Sequence, residues 1–161
     1  MFFKKRENKQ IKKWEWIMLL VILGFSIFGK IYYSRWPTAV VKIGGREVSV
    51  LVADNELHRF KGWSKRDDMG KYGGMLFVFP ERGQHAMVMR DMRFPLDIIW
   101  IDGTKIVDIA PNLQPDPANT EAGLTPYFAR LPSTLVLELS SGFTQKNGVK
   151  IGDTISISSP Y

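Results

Sequence analysis

The stretch LDIIWIDGTKIVDIA, residues 96–110, decides how this chain folds. Leu96–Ile101 is apolar and rich in β-branched residues, Asp102-Gly103 is a two-residue turn signal, and Thr104–Ala110 resumes the β pattern, so the whole predicts an antiparallel hairpin. Upstream, Met75–Phe79 is a continuous apolar run ended by Pro80 and reads as a buried strand; after a turn at 81–84, His85–Met89 reads as another. Residues 39–43 and 46–53 are β-branched runs joined by Gly44-Gly45, a second hairpin. Downstream, Ser133–Leu139 and Thr154–Ser158 complete the strands. Asp54 is a candidate N-cap for a short helix near 55–61 that Gly62 would stop, and a second short helix near 142–147 ends at Gly148. The predicted fold is mainly β: a compact barrel or sandwich-like domain over residues 39–161, with about eight short strands and two short helices.

Ahead of the domain the composition changes. Trp16–Gly29 is uncharged and strongly apolar, and extended to Tyr33 it approaches the ~20 residues of a spanning helix. Lys30 can snorkel along its own methylenes. Trp14 and Trp16 flank one end, and Tyr32, Tyr33 and Trp36 the other, as aromatic belts do at two interfaces. Residues 1–15 carry six positive and two negative side chains, which predicts a cytoplasmic basic segment, a signal-anchor over 16–33, a linker over 34–38 and an extracytoplasmic domain. The residues after the run give no small-x-small cleavage pattern, so an uncleaved anchor is expected in the cell membrane.

The formal charge of +6 is therefore a property of one end. Residues 34–161 hold 15 positive and 14 negative side chains, too even a balance for a nucleic-acid-binding domain. At 45 % hydrophobic and 24 % charged residues the chain is globular rather than disordered. With no cysteine, disulfides, iron–sulfur clusters, cysteine zinc sites and thiol nucleophiles are excluded. No G-x-S-x-G, P-loop, G-x-G-x-x-G or H-E-x-x-H pattern is present, and no cofactor is expected. His58 reads as a solvated residue on a polar helix. One segment is irregular: Pro111 to Pro132 holds five of the nine prolines and carries Tyr127, Phe128 and Arg130, any of which could cover a pocket.

The densest polar constellation runs from His85 to Asp97. On an extended 85–89, His85, Met87 and Met89 share one face and could offer soft ligands to Cu(I), although methionines filling a core are the plainer reading. Arg90, Asp91 and Arg93 follow, before Phe94-Pro95. Asp97 lies inside an apolar strand and needs a hydrogen-bonding or charged partner, for which Arg90 is the candidate. Paired carboxylates, Asp91 with Asp97 or Asp97 with Glu138, would be the enzymatic version of the same cluster.

The order of segments resembles an uncharacterised family, domain of unknown function family 192. The resemblance rests on Val50-Leu-Val-Ala-Asp54, Arg59-Phe-Lys-Gly62, Gly74-Met-Leu-Phe-Val-Phe79, Met89-Arg90, Pro95-Leu-Asp97-Ile-Ile-Trp-Ile-Asp102, Val136-Leu-Glu138-Leu with Gly142, and Gly148-Val-Lys-Ile-Gly-Asp153. It covers about residues 40–158 in order, and implies a compact, mainly β fold but no reaction. The family commonly has an aromatic-Trp-Met-Lys-Asn-Thr stretch before Pro-Leu-Asp, where this chain has Met87-Val-Met-Arg-Asp-Met92. It also has Gly-Leu-Met where this chain has Gly62-Trp63-Ser64.

These readings converge on a membrane-anchored extracytoplasmic binding or accessory module. Its partner would be a small polar ligand, an envelope polymer or an envelope protein, beside the bilayer itself, and not nucleic acid. Arg90, Asp91 and Asp97 are the candidate polar contacts, with Trp63 and Tyr127 or Phe128 as apolar walls. The alternatives are an enzyme using Asp97 or Asp91 as acid or base, and a copper-binding protein using His85, Met87 and Met89.

Overall fold

A computed structural model describes residues 12–117 and 120–158. The chain divides into two compact units at residues 35 and 36.

The first unit is the helix α1, Lys13–Ser34. Ile17 to Leu23 are all exposed and all apolar, so this stretch of α1 has no polar face. Among the described residues, no helix is long and apolar enough to cross a membrane. The uncharged run between Glu15 and Lys30 has 14 residues, about 21 Å of helix against a hydrocarbon core of about 30 Å. The predicted span over 16–33 is thus not met by the apolar run alone. Most of the basic segment, residues 1–11, and the side chains of Tyr32 and Tyr33 lie outside the described residues.

The second unit is built on β1 (Thr38–Ile43), β2 (Arg46–Ala53), α2 (Glu56–Lys61), β3 (Gly74–Gly83), β4 (Leu96–Asp102), β5 (Lys105–Leu113), a 3₁₀ turn at Glu121–Gly123, β6 (Ser133–Ser140), α3 (Phe143–Lys146) and β7 (Ser156–Ser158). The strands form one seven-stranded sheet in the order β5-β4-β6-β3-β2-β1-β7. All pairs are antiparallel except β2–β3, which α2 connects. Both predicted hairpins form. Gly44 and Gly45 turn the first with φ of 56° and 72°, a tight turn open to residues without a Cβ. Gly103-Thr104 turns the second, one residue on from the expected Asp102-Gly103, with Asp102 already paired to Lys105.

Side chains alternate across the strands and make two cores. One face carries Val41, Val50, Leu76, Ile99, Ile106, Leu137 and Ile155 in a single cluster. Because β1 and β5, far apart in the strand order, share this cluster, the sheet curls around it as a half-barrel. The C-terminal segment draws the two ends together: Thr154 bridges Lys105, and then Ser156–Ser158 pairs with Val40–Lys42. The other face carries Leu51, Met75, Phe77, Ile98, Trp100 and Val136. It is covered by the connecting segments, through Trp63, Met87, Met89 and Ala129.

Four expectations need correction. Residues 85–89 are not a strand; only Met87 pairs, in an isolated bridge with Tyr127, because this segment lies over the sheet and buries Met87 and Met89 against it. That leaves seven strands rather than about eight, in one sheet curled as a half-barrel, where a barrel or a sandwich was expected. Pro80 does not end β3, which continues to Gly83 across a register shift after Val78, where a missing N–H is tolerated. The N-cap of α2 is Asn55, whose Oδ1 accepts from His58 N at 2.9 Å, and not Asp54. His58 is buried rather than solvated, stacked on Trp36 with ring centroids 4.1 Å apart.

Candidate functional site

A pocket of about 250 Å³ opens between the end of α2, the segment 62–64, β3 and the segment 86–92. Its lining is graded. Glu138, Trp63, Phe77 and Met87 are buried, while Phe60 and Lys61 are exposed and Arg59 and Arg90 lie between. The stop of α2 at Gly62 (φ 46°) turns the chain back over the sheet and brings Trp63 and Ser64 to the wall. Ser64 Oγ donates to Arg90 O at 2.9 Å, fastening this wall to the 86–92 segment. Gly74 lets β3 approach β6 here, since a Cβ would stand 2.4 Å from Glu138 O.

Glu138 is the unusual member. It faces the second core, opposite Met75 on β3 and Ile98 on β4. Its residue is 4 % exposed and, among the described residues, no hydrogen bond or ion pair reaches its carboxyl. Burial pushes this carboxyl up to about 8, so at neutral pH it is predominantly a neutral acid able to donate and accept. Trp63, 1 % exposed, has an indole N–H that is likewise buried without a partner. An unpaired carboxyl on a pocket is costly in a folded core, and a ligand could satisfy Glu138.

Arg90 holds the outer wall. Its Nε donates to Glu121 Oε2 at 2.7 Å, Nη2 pairs with Glu121 Oε1, and Nη1 donates to Phe60 O at 2.8 Å. Its guanidinium also lies over the Phe60 ring, 4.2 Å from the centroid. Arg59 Nη1 donates to Val78 O at 2.9 Å.

Asp97, the residue the sequence singled out most strongly, is elsewhere. It is opposite Leu139, on the face away from Glu138, so the sheet separates the two carboxyls. It is fully buried, yet its partner is not Arg90. Asp97 Oδ2 accepts from Thr144 Oγ1 at 2.6 Å and Thr144 N at 2.8 Å; Oδ1 accepts from Asn112 N at 2.9 Å and Gly142 N at 3.0 Å. Burial acts to raise its pKa, but these four hydrogen bonds outweigh it and hold the carboxyl below the usual carboxylate range. Asp97 ties the end of β5 to the β6–α3 turn and lines no part of the pocket.

Of the other predicted residues, Asp91 has φ 50° and pairs at 3.7 Å with exposed Lys65. Tyr127 exchanges two backbone hydrogen bonds with Met87 behind the wall, and Phe128 is 57 % exposed. None of the three lines the pocket. His85 stacks on Phe79 at 3.7 Å with Nε2 2.9 Å from Glu81 O, away from the packed core that holds Met87 and Met89. Among the described residues no three His, Cys, Asp or Glu are placed to hold a metal ion. Of the residues the sequence offers, Trp63 and Arg90 line this pocket, and Glu138 enters there only as a dyad partner of Asp97. The signal for Glu138 is an acid between Leu137 and Leu139 in a strand apolar on both faces, the same signal that drew attention to Asp97.

No curated protein matches the chain. Two solved structures do. One, from Sinorhizobium meliloti and provisionally named a transcription regulator, is 27 % identical with a TM-score of 0.64, over 76 % of this chain and 93 % of that one. The other, from Novosphingobium aromaticivorans and of unknown function, is 26 % identical with a TM-score of 0.62, over 75 % and 84 %. The family model DUF192, Uncharacterized ACR, matches residues 39–157. The chain belongs to the DUF192 family.

Proposed function

We propose that the protein is a membrane-anchored extracytoplasmic binding or accessory module, and that the pocket over Glu138 holds its ligand, a small polar molecule. The observation that carries this reading is Glu138 itself: a buried carboxyl with no partner at the bottom of a pocket. A fragment screen by ligand-detected NMR tests it, because Ala86 is exposed at the pocket and Ala86→Trp would fill its mouth. Polar fragments should bind the wild type and be lost in Ala86→Trp. Equal binding to both would refute the pocket as the site.

The anchor is argued from α1. Its apolar run falls short of the bilayer core by about 9 Å. Lys30, with its methylene stem within the helix, can be accommodated at an interface, and the helix continues to Ser34. The basic residues ahead of it favour a cytoplasmic N-terminus. Retention of the full chain in membranes after an alkaline wash, with the domain open to protease from outside, is the expected result; release into the soluble fraction would refute the anchor.

A further inference from the structure

The pocket's charge runs in one direction. Arg59 and Lys61 on α2 and Arg90 on the 86–92 segment are the cationic side chains of its lining, and they occupy its more exposed end. Among the described residues, Glu138 is the only acid of the lining, at the buried end, and β3 contributes only Phe77 and Phe79. The strand neighbours of Glu138, Met75 and Ile98, carry no charge. A cationic ligand would meet Arg59 and Lys61 on entry, while the charge of Arg90 is already paired with the Glu121 carboxylate. A wholly apolar ligand would leave Glu138 unpaired. The lining also includes Phe77, Phe79, Met87 and Met92, suited to a flat apolar body.

Resting on the reading of this pocket as the ligand site, we propose that it takes a small organic anion whose far end carries a hydroxyl group. The anionic group lies among Arg59, Lys61 and Arg90, and the hydroxyl meets the Glu138 carboxyl. Arg59 and Arg90 each spend some of their N–H groups on Val78 O, Phe60 O and Glu121, and keep others for a carboxylate. A protonated Glu138 can both donate to and accept from one hydroxyl. Since burial holds Glu138 at about 8, its ionisation above that pH would place a second negative charge in the occupied site, and binding should weaken.

The test uses the full-length chain in detergent micelles and three probes of one shape: 4-(hydroxymethyl)benzoate, 4-(hydroxymethyl)benzylamine and neutral 4-methylbenzyl alcohol. Calorimetric titration from pH 6 to 9 should show the benzoate binding at least about tenfold more tightly than either other probe at pH 7. Its affinity should fall about tenfold between pH 7 and 9. Glu138→Gln, a permanently neutral donor and acceptor, should keep the affinity within about threefold and flatten the pH profile. Arg59→Met should weaken the benzoate and leave the neutral alcohol unchanged. Tighter binding of the amine, strengthening as pH passes 8, would overturn the anion while leaving the pocket as a ligand site. So would equal binding of the neutral alcohol. Binding of none of the three would overturn both.

Discussion

Asp97 and Glu138 sit on neighbouring strands, nearly opposite one another, and are both buried. They differ in everything else. Asp97 faces the core inside the curled sheet and accepts four hydrogen bonds, three of them from backbone N–H groups of two chain turns. Glu138 faces the outer layer and accepts none. The first carboxyl is held ionised and organises the fold. The second is held protonated and destabilises it when it ionises. Burial of an acid in an apolar strand is thus no guide to its role; the hydrogen bonds around it decide.

The largest effect expected from this contrast is on the alkaline side. The folded pKa of Glu138 lies above its unfolded value, so the folded state binds the extra proton between the two, and stability falls as pH rises from about 4.5 to about 8. A shift of that size corresponds to roughly 5 kcal/mol at most. Urea denaturation of wild type and Glu138→Gln across this range should show the wild-type curve falling and the variant's nearly flat. Parallel curves would break the comparison.

Next comes Asp97→Ala, which leaves the N–H groups of Asn112, Gly142 and Thr144 without their acceptor. A loss of about 3–4 kcal/mol, or failure to fold, is expected in the same assay. A loss under about 1 kcal/mol would mean that the carboxylate does not organise those turns. The wild type should also show a smaller acid-side decline. The folded pKa of Asp97 is lowered, so its contribution is present above about pH 4 and is lost as pH falls through the folded value. Asp97→Asn should lack that decline. The smallest effect is the control: Arg82 and Asp102 form a 2.9 Å pair with the Arg82 side chain 57 % exposed. Arg82→Gln should change stability by no more than about 0.5 kcal/mol.

Much of the architecture was legible because it depends on local signals. Gly44-Gly45 and Asp102-Gly103 specify turns, and the β-branched runs beside them specify strands. The error at 85–89 has a physical source. An alternating His-Ala-Met-Val-Met pattern describes a segment with one face buried, whether that face pairs with a sheet or merely covers it. The site was half legible. Arg90 comes from the polar constellation at 85–97 and Trp63 is offered as an apolar wall, and both line the pocket. That Asp97 belongs to Thr144 rather than Arg90 depends on α3, 47 residues away, folding back over the end of β4. Period-2 alternation could have placed Asp97 and Glu138 on faces of their own strands. It could not say which faces meet, since that requires the register of β4 against β6.

The segment that draws the sheet's ends together also fixes when the fold can be completed. Val41, near the start of the domain, pairs with Ile157, near its end, and Lys105 pairs with Thr154 just before. Until those last residues are available, β1 and β5 both present open hydrogen-bonding edges, and a chain stopped short of residue 152 keeps them. Closure across so long a loop is slow, and open edges are where chains pair with the wrong partner. The segment 152–158, exposed apart from Ile155, therefore governs whether a nearly complete chain folds onto itself or onto its neighbours.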